Sequence, residues 1–126
     1  MDERDVCVER LRAALTKQEL SDRLWDCVRA YEGYTFRTSG RGRMHSGAVD
    51  FYYTIKRSGR TGEMTDELII STRPDSKTIT RSSVELGLSQ CLAEQEAEGC
   101  VRGPKRMSVF GASYLYAMFL EWGVIK

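Results

Sequence analysis

From Asp2 to Glu32 the chain has neither glycine nor proline, and apolar residues recur at Val8, Leu11 and Leu15, then at Leu20, Leu24, Val28 and Tyr31. That spacing keeps one side of a helix apolar, so the pattern predicts a helical N-terminal quarter. Thr16 followed by Glu19 has the form of a capping box, which would start a second helix there. One long helix and a helix pair both fit, and Gly33 ends the segment in either case.

The period then changes. Tyr34–Thr38 leads into the glycine-rich run Ser39–Gly47, after which Val49, Phe51, Tyr53 and Ile55 alternate with Asp50, Tyr52, Thr54 and Lys56. Alternation in β-branched and aromatic residues predicts strands. A turn region over Arg57–Asp66 and a further apolar run, Glu67–Thr72, complete an expected three-stranded antiparallel meander. Beyond Pro74, Ser82 with Glu85 three positions on predicts a capped helix whose stripe is Val84, Leu88, Cys91 and Leu92, ending at Gly99. The link Gly99–Ser108 reads as irregular, and Phe110–Trp122 reads as a last helix, apolar on most faces and central to the core. The fold class expected is α+β: an N-terminal helix or helix pair, a three-stranded antiparallel sheet, and two C-terminal helices packed on one side of it. Two helices beside a short sheet also suggest a winged-helix arrangement. Nothing resembling a linker or repeat divides residues 1–126, so one domain is expected.

Composition changes this picture little. At 126 residues, with 41% hydrophobic and 29% charged side chains, the chain has ordinary globular values. The first residues lack the pattern of a secretory signal, and no apolar stretch reaches the roughly 20 residues that span a bilayer. A soluble, cytoplasmic protein without membrane contact is therefore expected. Cys7, Cys27, Cys91 and Cys100 are scattered with a single histidine, His45, so buried free thiols are expected rather than a metal site or disulfides. Net charge is +1, but residues 34–83 carry 9 basic against 5 acidic side chains, while 1–33 carry 6 against 8 and 84–126 carry 4 against 5. The middle of the chain is mildly basic, which is compatible with a face for nucleic acid or for an acidic protein.

Candidate binding residues follow from that charge. Arg41 and Arg43 lie in the Gly-Arg-Gly-Arg run, where guanidinium forks suit phosphates or carboxylates. Lys56 and Arg57 stand at the second turn. Lys77, Arg81, Arg102, Lys105 and Arg106 bracket the last two helices, with the hydroxyls of Thr78–Ser83 at a helix start that could hold a phosphate. Among the sheet aromatics, Phe51 and Tyr53 share the face of Val49 and Ile55 and belong to the core, leaving Tyr52 as the exposed ring. The chain has no asparagine and three glutamines, so the bidentate readers of adenine are scarce. For catalysis, His45 sits in a glycine-rich loop away from any nucleophile, and Glu63, Asp66 and Glu67 cluster at a turn with nothing converging on them. The expectation is no enzyme and no cofactor.

The strings Ser76–Arg81, Val84–Leu86, Val101–Lys105 and Phe110–Tyr116, with Tyr31–Phe36 and Gly62–Met64 upstream, resemble a family of short proteins of unassigned function carried by prophages and conjugative elements of anaerobic gut bacteria. The likeness spans residues 31–126. Gly87 stands where alanine is expected, Ala117 where proline is frequent, and the turn between Arg57 and Asp66 is longer. The resemblance transfers no active site. It implies a mobile-element context, in which short proteins without enzyme motifs regulate transcription or disarm host defence. Two functions are therefore expected: an anti-CRISPR-like inhibitor occluding a nucleoprotein such as a CRISPR effector, or a small DNA-binding regulator using the last two helices and their basic groups. The apolar C-terminal helix also offers a seam for a dimer.

Overall fold

The protein is described by a computed structural model that covers residues 2–38, 49–72, 74–75 and 77–125. The N-terminal quarter is a helix pair, α1 (Glu3–Arg12) and α2 (Lys17–Ala30). The capping residues decide between the two arrangements that periodicity left open. Thr16 Oγ1 accepts from Glu19 N–H at 3.1 Å, and Leu15 N–H donates back to Glu19 Oε1 at 2.9 Å. That reciprocal pair satisfies backbone donors that a helix start leaves open. The hairpin is clasped at its other end by Arg4, whose Nε donates to Ala30 O at 2.8 Å while its guanidinium lies 5.5 and 5.3 Å from the ring centroids of Tyr31 and Tyr34.

Among the described residues the strands form a three-stranded antiparallel sheet, as expected though with different members, and a separate two-stranded sheet. β1 (Phe36–Arg37) pairs antiparallel with β2 (Asp50–Phe51), with Phe36 opposite Phe51. β3 (Tyr53–Arg57) pairs with β4 (Met64–Ile70), and β4 with β5 (Ile79–Thr80), all antiparallel. The segment expected as one strand divides at Tyr52, whose N–H donates to Ser71 Oγ and whose carbonyl accepts from Ser71 N–H. β5 lies in the segment beyond Pro74 expected to lead into a helix capped by Ser82. It is a strand because Ile79 pairs with Leu68 and Thr80 with Glu67 on β4, and Thr80, rather than Ser82, caps the next helix by accepting from Ser83 N–H at 3.2 Å.

Helix α3 (Arg81–Glu98) ends at Gly99, and α4 (Ala112–Glu121) begins two residues later than the apolar run predicts. Gly111 sets that start. Its φ is +81°, and a Cβ there would collide with Ile79 Cδ1, so the backbone turns where no side chain fits. Gly87 has a packing role of its own: a Cβ would lie 3.2 Å from Met107 Sδ and 3.3 Å from Leu115 Cδ1, so its bare face lets α4 approach α3. Buried residues from Leu11 to Ile125 form one cluster, with Trp25, Trp122, Tyr53, Phe36, Phe51 and Phe119 its largest members. Leu115, Met118, Phe119 and Trp122 are buried as expected, whereas Phe110 and Tyr114 are half-exposed at its margin. Tyr114 instead packs its ring edge on Phe51 and shares a hydrogen bond with Thr72 Oγ1. Among the described residues, no helix is long and apolar enough to cross a membrane.

The four cysteines are not uniformly buried. Cys27 and Cys91 are, but Cys7 is half-buried and Cys100 is exposed just past the end of α3. Burial above all pushes the Cys27 thiol up to about 12 and that of Cys91 to about 11, and it raises Cys7 as well. With Ellman's reagent at pH 8 the native protein is expected to release colour rapidly from Cys100, slowly from Cys7, and from Cys27 and Cys91 only after unfolding. Rapid reaction of all four would contradict the packing.

Candidate functional site

The basic residues expected to form a patch are held in different ways. Arg81 is turned inward. Its Nε lies 3.1 Å from Glu85 Oε2, its other nitrogens reach Asp22 at 3.7 Å and Asp66 at 4.0 Å, and Nη2 donates to the carbonyl and hydroxyl of Ser21. Its guanidinium also lies 5.4 Å from the Trp25 ring centroid, while Ser21 Oγ closes the network with a short hydrogen bond to Glu85. The residue ties α2, β4 and α3 together. Arg57 is likewise engaged: Nη1 donates to Ile55 O at 2.9 Å and Nη2 lies 3.3 Å from Glu32 Oε1, while Glu32 Oε2 accepts from Ile55 N–H at 2.7 Å. One ion pair thereby satisfies both outward backbone groups of Ile55 on β3. A strand edge with its donors and acceptors filled has no template for another strand.

Lys56, Lys77 and Lys105 are exposed and make no ion pair with a described residue, and Arg102 reaches only to Glu98 at 3.9 Å. They do not converge. The 18 residues of α3, about 27 Å at about 1.5 Å per residue, separate Lys77 and Arg81 from Arg102. Hydrogen bonds between Gln90 and Ser108 tether the segment after Lys105 to the middle of that helix. The solvent face of α3 presents Ser82, Leu86, Ser89, Ala93 and Glu96 and carries no lysine or arginine, while α4 turns Leu115, Ala117, Met118 and Phe119 into the core. Arg41, Arg43 and His45 lie outside the described residues, as does the Arg106 side chain.

Tyr52 is exposed, at 46%, but Phe36, Phe51 and Tyr53 are buried around it, so the sheet offers one ring rather than a stacking platform. Two of the three turn acids are engaged, Asp66 facing Arg81 at 4.0 Å and Glu67 accepting from Thr78 Oγ1, while Glu63 is exposed and makes no ion pair with a described residue. Among the described residues, no group of three or more His, Cys, Asp or Glu side chains could hold a metal ion. Tyr53 has its pKa raised because it is buried, its hydroxyl donating to Val28 O at 2.6 Å inside the core. Desolvation dominates that shift, as packing in a core alone produces.

A different feature was not anticipated from the sequence. Between the α1–α2 turn, α3 and the tail after α4 lies an open groove of about 450 Å³. Leu11 and Leu88 floor it, both essentially inaccessible, and Leu20, Leu92 and Val124 form half-buried walls. At its lip Leu15 is 91% exposed. Helical spacing puts Leu15 on the buried stripe of α1, but α1 stops at Arg12 and the Glu19 cap holds Leu15 in the turn. The rim is cationic, with Arg12 and Lys17 exposed and in no ion pair with a described residue. The sequence signal, in hindsight, is a leucine immediately before a capping box, where a buried stripe must break. Comparison with family models, with curated proteins and with solved structures finds no match to this chain.

Proposed function

We propose that the protein is a non-enzymatic inhibitor that works by binding another protein, in the manner of mobile-element proteins that occlude a host nucleoprotein such as a CRISPR effector. The observation that carries this reading is the apolar groove with Leu15 at its lip. Isolated exposed leucines are ordinary, but this one continues an apolar concavity, and covering such a side chain contributes about 1.5 to 3 kcal/mol. The alternative, a DNA-binding regulator built on the last two helices, has less support: Arg57 and Arg81 are engaged in ion pairs, Lys77 and Arg102 lie beyond opposite ends of α3, and the exposed positions of that helix include no lysine or arginine.

Two measurements separate the readings. Anisotropy titrations with labelled random duplex and single-stranded DNA at low salt are expected to show no salt-sensitive binding, whereas a phosphate-tracking protein would bind and lose affinity steeply as salt rises. Cleavage by purified guide-loaded CRISPR effectors should be inhibited by the wild-type protein and spared by Leu15→Glu, a change at an exposed position that leaves Tm unaltered. DNA binding that weakens in Lys105→Ala, or inhibition that survives Leu15→Glu, would overturn the proposal. Absence of inhibition with any effector tested would remove that target class.

A further inference from the structure

We infer that the occupant of the groove is an amphipathic helix of the partner whose apolar stripe is flanked by acidic side chains; this rests on the protein-binding reading above and adds the chemistry of what is bound. Shape comes first. The groove is partly open to solvent, and its walls come from separate elements: Leu20 from the first turn of α2, Leu92 one helical turn beyond Leu88 on α3, and Val124 after α4. An open apolar channel of this kind suits a helix presenting side chains at i, i+3 or i+4, and i+7. Addition of a strand is disfavoured elsewhere on the molecule, because the outer edge of β3 is filled by Glu32 and Arg57 and β5 is only two residues long.

Charge gives the flanks. The Arg12 guanidinium lies over the backbone of Gly123, where a Cβ would be 3.5 Å from its Cζ, and Lys17 begins α2 across the turn. The first turn of α2 adds its own positive end, since the Thr16 side chain accepts only from Glu19 among these amides. The acid nearest Lys17 in sequence, Glu19, is already committed to Leu15 N–H and to Arg23 at 3.4 Å, and Glu9, three residues before Arg12, forms no ion pair with it. An acidic group beside the apolar stripe of an incoming helix therefore meets two uncompensated cations. A basic one meets repulsion as it desolvates them.

The test uses two labelled helical peptides of about 18 residues with an identical leucine stripe, one flanked by glutamates and one by lysines. The intact protein should bind the glutamate peptide about tenfold or more tightly than the lysine peptide, with methyl NMR shifts concentrated at Leu15, Leu20, Leu92 and Val124. Arg12→Glu with Lys17→Glu should reverse the preference, and Leu15→Glu should weaken the glutamate peptide about tenfold without moving Tm. Equal affinity for the two peptides, binding of neither, or shifts confined to another face would overturn the inference. So would concentration-dependent dimerisation in sedimentation that Leu15→Glu abolishes, because the occupant would then be a second copy. These outcomes leave the inhibitor reading to stand or fall on the cleavage assay.

Discussion

Replacement of Trp122 by alanine is expected to lower the stability of the fold by about 3 to 5 kcal/mol, read as a fall in the urea midpoint. The indole is 1% exposed and lies where three parts of the chain meet. Its ring centroid is 5.5 Å from Tyr31 at the end of α2, 6.1 Å from Phe36 on β1 and 6.4 Å from Phe119 on α4. Truncation leaves a cavity beside Tyr31, which packs on Tyr34 and Phe36, and Phe36, which stacks on Phe51 and Tyr53, so the site has little freedom to collapse. Trp122→Phe should cost much less than the alanine variant. The phenyl ring retains most of the packing, and the substitution removes a buried indole Nε1–H that has no hydrogen-bond partner among the described residues. Equal losses for the two variants would show that the cost is not one of volume, and an unchanged midpoint for Trp122→Ala would contradict burial of α4.

How much of this was legible in the sequence differs from element to element. The N-terminal helical quarter was legible, and the helix pair stood as one of two arrangements that fit; the residues that settle it are local, since Thr16 and Glu19 are three apart and their bonds form within a single turn. The outward direction of Tyr52 followed from alternation, which holds from Asp50 to Lys56 even though the strand itself breaks at Tyr52; Val49, expected on the core face, precedes β2 and is 48% exposed. β5 was not legible. Two residues carry no period, and Ile79–Thr80 becomes a strand only through its pairing with Glu67 and Leu68, while Ser82, with Glu85 three positions on, carries a stronger capping pattern than the true cap, Thr80.

The interaction surface was harder still to read. Arg81 has one acid at helical spacing, Glu85, but Asp22 and Asp66 reach it only through the tertiary fold, so a residue that looked available to a partner is held internally. The groove joins Leu11, Leu20, Leu88 and Val124, which no local pattern relates.

Arg81→Ala is the second large effect, with an expected loss of about 2 to 3 kcal/mol. The contacts with Asp22 and Asp66 contribute little, being 3.7 and 4.0 Å long with carboxylates more than half exposed. The weight falls on three others: the 3.1 Å bond to Glu85, the bonds to Ser21, and the placement over Trp25. A cation on a tryptophan face adds about 0.5 to 2 kcal/mol depending on how far it is desolvated, and this side chain is 28% exposed. Arg81→Lys should recover less than half of the loss, because an ammonium cannot bond Glu85 and Ser21 together while lying flat on an indole. Raising sodium chloride to about 1 M should shrink the wild-type-to-alanine difference only modestly, since the groups that matter are half-buried. An Arg81→Ala midpoint equal to wild type would refute this role. The same variant also bears on function: Arg81 holds α2 against α3 and stands apart from the groove, so the surviving folded fraction of Arg81→Ala should inhibit as the wild type does. Leu15→Glu should show the opposite pattern, stability intact and inhibition lost. A loss of inhibition by Arg81→Ala at unchanged stability would instead place the partner on the α2–α3 junction.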